Sequence, residues 1–401
     1  MAADGTRGDA RHVCHNCGRA GPVEIGGFSS HARVTSDCRP WPAGGKLGVC
    51  TACALVQKIV HAEWRREVAE IYACYALYHQ SRDRTEQTVF DPLGRAAPRS
   101  GRLLQTLQQI TGLPPSGRML DVGCGNGATL QAASELLAGW SLSGHDPHLS
   151  EPERVLSIPR VAAVHDDWKD TPDAFDLVTL VHVLEHVPNP VQLLAEIRSR
   201  LRPDGHLLVQ VPYFVDNPFD LVIADHCSHF TLTTARRLVT GAGFDLVHVS
   251  AQLLHKEVTV IARPNACKKS AGPMATELRS ESAKHAEAAC AALAWLSALR
   301  ASCQRARTQA PGRLGIFGTS IGGNWLLATL EECADFFVDE DGARVERRLR
   351  GRPVLAPPDA PRDATVLMPL PHRIAVSIRE RLGDLAQGYL LPPDYARPAP
   401  I

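Results

Sequence analysis

The spacing of apolar residues divides the chain into regions of different character. Between about residues 100 and 263, short apolar runs at Arg118–Val122, Ser141–His145, Phe175–Val181 and Gly205–Val211 alternate with helical patterns such as Pro190–Arg200. Apolar runs of strand length separated by amphipathic helices predict a parallel sheet covered by helices on both faces. The first 95 residues, by contrast, have no long periodic segment and are rich in cysteine. Beyond the alternating region, Ala275–Arg307 is rich in Ala, Glu, Leu and Arg and predicts a long connecting helix with a polar face. A break at Pro311-Gly312 precedes a second strand–turn–helix start at Gly315–Trp325, and strand-like pieces follow at Phe336–Val338 and Thr365–Met368. The tail from Pro392 to Ile401 is expected to be loosely ordered.

A chain of 401 residues exceeds one ordinary core, so two to three domains are expected. Lys+Arg and Asp+Glu both number 43, which removes the broad attraction that nucleic-acid or anionic-membrane binders show. No apolar run approaches the roughly 20 residues of a membrane span, and the first ten residues carry no hydrophobic signal region. A cytoplasmic protein is expected, with no nucleic-acid or membrane partner. Its twelve cysteines are then thiols or metal ligands rather than disulfides.

The chemistry begins at Met119-Leu-Asp-Val-Gly-Cys-Gly-Asn-Gly-Ala-Thr-Leu130, a buried strand that breaks into a glycine turn and opens a helix. Asp121 stands at the strand's carboxyl end. Gly123, Gly125 and Gly127 let the backbone turn and approach a nucleotide-like ligand closely. The next strand ends at Asp146, 19 residues after Gly127, where a carboxylate can accept both ribose hydroxyls. Val164-His-Asp-Asp-Trp168 closes the third strand and offers Asp166 or Asp167 to an adenine amino group. For a lone Asp after a strand, a helix N-cap is the alternative role.

Two Cys-x-x-Cys knuckles, Cys14/Cys17 and Cys50/Cys53, are separated by 32 residues. Two such turns make a closed tetrahedral four-thiolate site, suited to a structural rather than catalytic Zn²⁺. The stretch from Gly26 to Lys46 would then be an inserted loop. Cys38 and His15 are possible substitute ligands, but they break the paired pattern.

The succession of Asp121 and its glycine turn, Asp146, Asp166/Asp167 and Phe175–His182 resembles motifs I to IV of class I S-adenosylmethionine (SAM) methyltransferases. Leu201–Val211 resembles the turn and strand that come next in these enzymes. The resemblance implies SAM as cofactor, bound by Asp121 at its methionine end, by Gly123, Gly125 and Gly127, by Asp146 and by Asp166 or Asp167, with His182 packed beside it.

With the knuckles in front and a nucleotide-fold-like appendage behind, the chain resembles the zinc-containing sugar C-methyltransferases that act on nucleotide-linked ketosugars. The fold this implies is α/β: a class I methyltransferase Rossmann-like parallel sheet, an N-terminal zinc-binding unit and a second, smaller C-terminal α/β domain. The boundaries expected are 1–95 for the zinc unit and linker helix, 96–265 for the methyltransferase domain, 266–310 for the connecting helix and 311–401 for the Rossmann-like domain. A Leu-x-His segment of the family is matched by Leu184-Glu-His186. Its Tyr-x-Glu-His motif is matched by Ile223-Ala-Asp225-His226, so His226 takes the place of the base that deprotonates carbon beside a ketone. Ile223 stands where the family has Tyr, and Asp225 where it has Glu. His229 and Asp225 are expected to fix the tautomer of His226. Tyr72–Ser81 resembles the family's tyrosine-bearing linker, with Tyr75 and Tyr78 on one helix face able to close the site. Tyr213 is a further possible substrate contact. Gly318–Gly323 resembles a phosphate-facing loop, and Asp339 a strand-end acid.

The expected function is SAM-dependent methyl transfer to carbon of a nucleotide-linked ketosugar, with a His general base because its pKa lies near neutrality. SAM-dependent O- or N-methylation of another small molecule uses the same parts. Two readings of a different class are a NAD-dependent oxidoreductase, against which the missing Gly-x-Gly-x-x-Gly spacing argues, and a non-catalytic zinc-ribbon binding protein.

Overall fold

Seven strands of the middle region pair into one sheet: β1 (Ser116–Val122), β2 (Gly139–His145), β3 (Val161–His165), β4 (Phe175–Val181), β5 (Leu201–Pro212), β6 (Phe244–Ser250) and β7 (Glu257–Pro264). The structure is a computed structural model and describes residues 13–19, 21–75, 88–90, 96–149, 151–265, 275–309, 312–386, 388–395 and 401. The strand order is β3-β2-β1-β4-β5-β7-β6; β1 to β5 run parallel and β7 lies antiparallel between β5 and β6. Leu177, Val178, Thr179 and Leu180 are all fully buried, so both faces of β4 are covered, as a central parallel strand requires. Chain order reverses beside β1: β2 lies on one side of it and β4 on the other. The carboxyl edge at this switch point is where such sheets leave a ligand crevice.

The N-terminal unit is a small antiparallel sheet of Val23–Ile25, Leu47–Val49 and Val56–Lys58, to which Ser228–His229 from the middle region adds a fourth strand. Residues 26–46, expected as an inserted loop, fold instead into a short helical turn, Phe28–Ser30, and a hairpin of Arg33–Val34 with Pro40–Trp41. Arg33, 1% exposed, anchors this hairpin through a bidentate pair with Glu67 at 2.7 and 3.1 Å and a bond to the Pro42 carbonyl. Helix Ala62–Ala73 ends before Tyr75, so Tyr75 does not lie on the helix face expected for it; Tyr78 falls outside the described residues. The hydrogen bonds of the helix stop once Cys74 donates to the Ile71 carbonyl with non-helical backbone angles.

Ala275–Gln309 is one helix of 35 residues. It has the expected polar face, with Arg279, Lys284, Glu287 and Arg300 exposed, and packs by the other: Ser282 Oγ donates to the Cys50 carbonyl, His285 Nδ1 to the Ala54 carbonyl, and Trp295 meets Phe219 edge-on. The helix reaches the C-terminal unit through Arg307, which donates to the Leu330 carbonyl. That unit is a six-stranded sheet whose centre, Leu314–Phe317, pairs in parallel with Phe336–Val338 and Thr365–Leu367. Trp325, 1% exposed, joins it to the N-terminal hairpin by donating to the Ala32 carbonyl at 2.9 Å. Among the described residues no helix is long and apolar enough to cross a membrane.

Candidate active site

The glycine turn sits at the switch point. Gly123, Gly125 and Gly127 all have positive φ, at 69°, 49° and 85°. A Cβ on Gly123 would stand 2.5 Å from Cγ2 of Val183, so the turn is pressed against the end of β4. Asp146, half-buried at the tip of β2, accepts from the Gly125 and His148 amides, each at 2.9 Å. Asp121 is 2% exposed and accepts from Thr179 Oγ1 at 2.6 Å; burial pushes its carboxyl up to about 7. Asp166 and Asp167 lie exposed beyond β3, where Asp167 accepts from the Lys169 amide in a local turn.

His182 leaves β4 with φ at 57° and is clamped between Glu185 (3.0 Å) and Glu257 (3.3 Å). Burial opposes its charge, but Glu257 and Glu185 outweigh it and raise its pKa to about 9. It is an ion-pair partner of the strand ends. After it, Leu184–His186 forms a short helical turn that presents His186.

The second half of the site is the segment 218–229. Pro218–Val222 is a helical turn that carries Asp220, and Asp220 takes both neighbouring imidazoles: His226 Nδ1 on Oδ1 and His229 Nδ1 on Oδ2, each at 2.7 Å. Burial alone would push the Asp220 carboxyl up, but the two histidines hold it well below the usual carboxylate range. An ionised carboxylate only accepts, so both Nδ1 atoms carry hydrogen, and Nε2 is the ring atom through which a neutral His226 accepts. The sequence-based expectation assigned that orienting role to His229 and Asp225 together. Asp225 instead accepts from the Ser36 amide at 2.9 Å and from Ser36 Oγ, and lies 3.4 Å from His186 Nδ1. Its backbone explains this: the Ala224 amide is fixed to the Val34 carbonyl, which turns Asp225 towards the hairpin.

The two halves meet. His186 and His226 pack edge to face with ring centroids 4.6 Å apart, and the Cys227 amide donates to the Glu185 carbonyl at 2.7 Å. One polar atom from each of Glu185, His186 and His226 lies within 4.8 Å of the other two. Burial opposes protonation of His186, but Asp225 raises its pKa above the ordinary value. Tyr72 OH reaches His186 Nδ1 at 3.1 Å, and its ring stacks on His148 at 5.2 Å. His148 follows Asp146 by two residues, so the histidine cluster adjoins the glycine turn. Tyr213, by contrast, is fully buried beside Phe230 and does not line this cluster. Asp220, Ser36, Tyr72 and Lys58 are the site residues that sequence reasoning missed. Asp220 precedes its partners by six and nine residues in an apolar turn, a spacing with no periodic signature.

The four cysteine sulfurs of Cys14, Cys17, Cys50 and Cys53 lie within 4.8 Å of one another, with Cys14–Cys53 at 3.6 Å and Cys17–Cys50 at 3.7 Å. Tetrahedral thiolates about 2.3 Å from a zinc ion stand about 3.8 Å apart, so this set fits such a cation. Gln57 Nε2 donates to Cys14 Sγ at 3.0 Å and the Ala52 amide to Cys50 Sγ at 3.4 Å, bonds that favour thiolates. Cys38 is not in the set, and His15 Nε2 is occupied by Ser228 Oγ at 2.8 Å.

In the C-terminal unit Asp339 Oδ2 accepts from the amide and hydroxyl of Thr319, and Arg344 donates to that hydroxyl at 2.9 Å. The strand-end acid is thus turned onto the glycine loop. Beside it, Thr319 and the side chains of Arg344, Arg347, Arg348 and Arg350 line a cavity of 220 Å³.

Residues 95–249 match the family model described as a methyltransferase domain. The middle of this chain is a class I SAM-dependent methyltransferase domain. The ubiquinone biosynthesis O-methyltransferase of Xanthomonas campestris is 35% identical to it over 102 residues, 24% of this chain and 43% of that protein. The C-methyltransferase NovU of Streptomyces niveus is 26% identical over 201 residues, 45% of this chain and 47% of that protein. The chain thus spans less than half the length of each of these relatives. Human N-acetylserotonin methyltransferase, solved with SAM, superposes with a TM-score of 0.35 and 20% identity, over 42% of this chain and 52% of its own. The methyltransferase domain accounts for β1 to β6 and the histidine turn; the Cys₄ sheet and the C-terminal sheet lie outside the matched residues.

Proposed function

We propose that the protein is a SAM-dependent C-methyltransferase acting on carbon beside a ketone in a nucleotide-linked sugar, with His226 as general base. The observation that carries this reading is the Asp220 bond to His226 Nδ1, which leaves Nε2 as the atom able to take a proton, in a ring packed against His186. SAM, when bound, supplies an electrophilic methyl group, so the protein's part is to create and position a nucleophile. His226 Nε2 takes the proton from carbon. His186, whose charge Asp225 favours, donates towards the enolate oxygen that develops. The glycine turn, Asp146 and Asp121 would hold the cofactor. The arginine-lined cavity in the C-terminal unit suits the phosphates of a nucleotide handle. The Cys₄ set holds a structural Zn²⁺.

The match to ubiquinone biosynthesis O-methyltransferases favours a second reading, oxygen methylation with the same histidine pair. Incubation with labelled SAM and a panel of nucleotide-linked ketosugars and phenols, followed by mass analysis, separates the two. The C-methylated sugar is expected, and His226→Ala should lower turnover by about 10²–10⁴ with SAM binding retained. Full activity in His226→Ala, or methyl found only on phenolic oxygen, overturns the reading.

A further inference from the structure

His226 is held by more than its own segment. Asp220, its partner, is shared with His229, and a neutral His229 that donates through Nδ1 has a bare Nε2. That atom meets Nζ of Lys58 at 3.3 Å. Lys58 belongs to the Cys₄ sheet, five residues after Cys53, and is 1% exposed. Its ammonium has two further close acceptors, the carbonyls of Leu221 at 2.8 Å and Ile223 at 3.0 Å, and lies over the Phe28 ring at 4.9 Å. With the His226 carbonyl at 3.5 Å, four acceptors surround its three hydrogens, three of them backbone carbonyls between Leu221 and His226, and they oppose the burial that pushes the ammonium pKa down to about 7. A buried ammonium persists only when so paired.

We propose that Lys58 and His229 are positioning residues for His226, acting through Asp220. The path runs from Lys58 Nζ to His229 Nε2, from His229 Nδ1 to Asp220, and from Asp220 to His226 Nδ1. The N-terminal unit thereby contributes a charged group to the orientation of the base. Without the ammonium, His229 can shift its hydrogen to Nε2 and leave one Asp220 oxygen without a donor. Asp220 is then free to turn, and His226 loses its single tautomer. The other charged groups near His226 are Glu185 and His186 from the turn after β4, and Asp225 from its own segment; the Nδ1 bond itself is made to Asp220. The proposal rests on the reading of His226 as the base only for its significance, because the tautomers are measurable without any acceptor.

The test uses the full chain labelled with ¹⁵N-histidine and loaded with zinc, and reads ring tautomers by long-range ¹H–¹⁵N correlation. In the wild type both His226 and His229 should carry hydrogen on Nδ1. In Lys58→Met and in His229→Leu, His226 should become a mixture of tautomers. His229→Gln, which can donate to Asp220 and accept from Lys58, should restore the single Nδ1–H form. Hydrogen on Nε2 of wild-type His226, or an unchanged His226 in both Lys58→Met and His229→Leu, overturns the proposal. Should Lys58→Met fail to fold, the wild-type spectrum and the His229 pair still decide. A correct tautomer pattern in a protein with no C-methylated product would refute the base reading and leave this chain of contacts standing.

Discussion

Replacing Gly123 by Ala tests how tightly the glycine turn is fitted to the sheet edge. Two costs arise at once. The backbone at φ 69° is left-handed, where an L side chain costs roughly 1–2 kcal/mol. The new Cβ would also lie 2.5 Å from Val183 Cγ2, well inside contact distance, and Val183 is β-branched with little rotamer freedom to retreat. Overpacking of that kind costs roughly 1–3 kcal/mol. Gly123→Ala should therefore destabilise the central sheet by about 2–5 kcal/mol, read as a lower urea midpoint with an unchanged slope. The steric part can be isolated by Val183→Ala, which removes the colliding methyl. In that background the same substitution should cost only the backbone share, about 1–2 kcal/mol. A penalty below about 0.5 kcal/mol, or equal penalties in the two backgrounds, would refute the close fit between turn and strand end.

The charge on His182 gives a pH test. Its pKa is raised to about 9 from an ordinary 6.5, so its stabilisation is fully present below pH 6.5 and is lost as pH rises through 9. With the side chain about a quarter exposed, the effect is on the order of 2–3 kcal/mol. The urea midpoints of wild type and His182→Gln should differ at pH 6 and converge by pH 9.5; a constant gap contradicts the ion-pair account. For the cysteine set, Cys53→Ser should release zinc to a mild chelator that leaves the wild type loaded with about one ion per chain. Equal retention measured by elemental analysis would dissociate the four sulfurs from metal binding.

Periodicity told the observed elements well where burial is two-sided or capped locally. Phe175–Val181, Pro190–Arg200 and Phe336–Val338 have the bounds that their apolar patterns predict. Residues 26–46 were opaque because the hairpin there is held by Arg33–Glu67 and by Trp325, partners distant in sequence. The glycine turn and Asp146 were legible for a local reason: their spacing is set by one strand–turn–helix unit and the strand after it. The orientation of His226 was not. Asp225 lies in a turn whose Ala224 amide is held by the Val34 carbonyl, so it is next to His226 in sequence and faces Ser36 in space. Asp220 comes round only because Pro218–Val222 coils beneath the loop, and Lys58 only because a separate sheet closes over it.

The strand Ser228–His229 completes the Cys₄ sheet, and Lys58 and His229 stand 171 residues apart in sequence. During synthesis the N-terminal unit leaves the ribosome long before that partner strand exists. The open edge of Val56–Lys58 must wait, unpaired, through the making of the whole sheet from β1 to β5, and an unpaired edge invites association with other chains. Closure of so long a loop makes the histidine cluster a late product of folding. A fragment that ends before residue 228 should therefore aggregate, and co-expression of the missing half should rescue it.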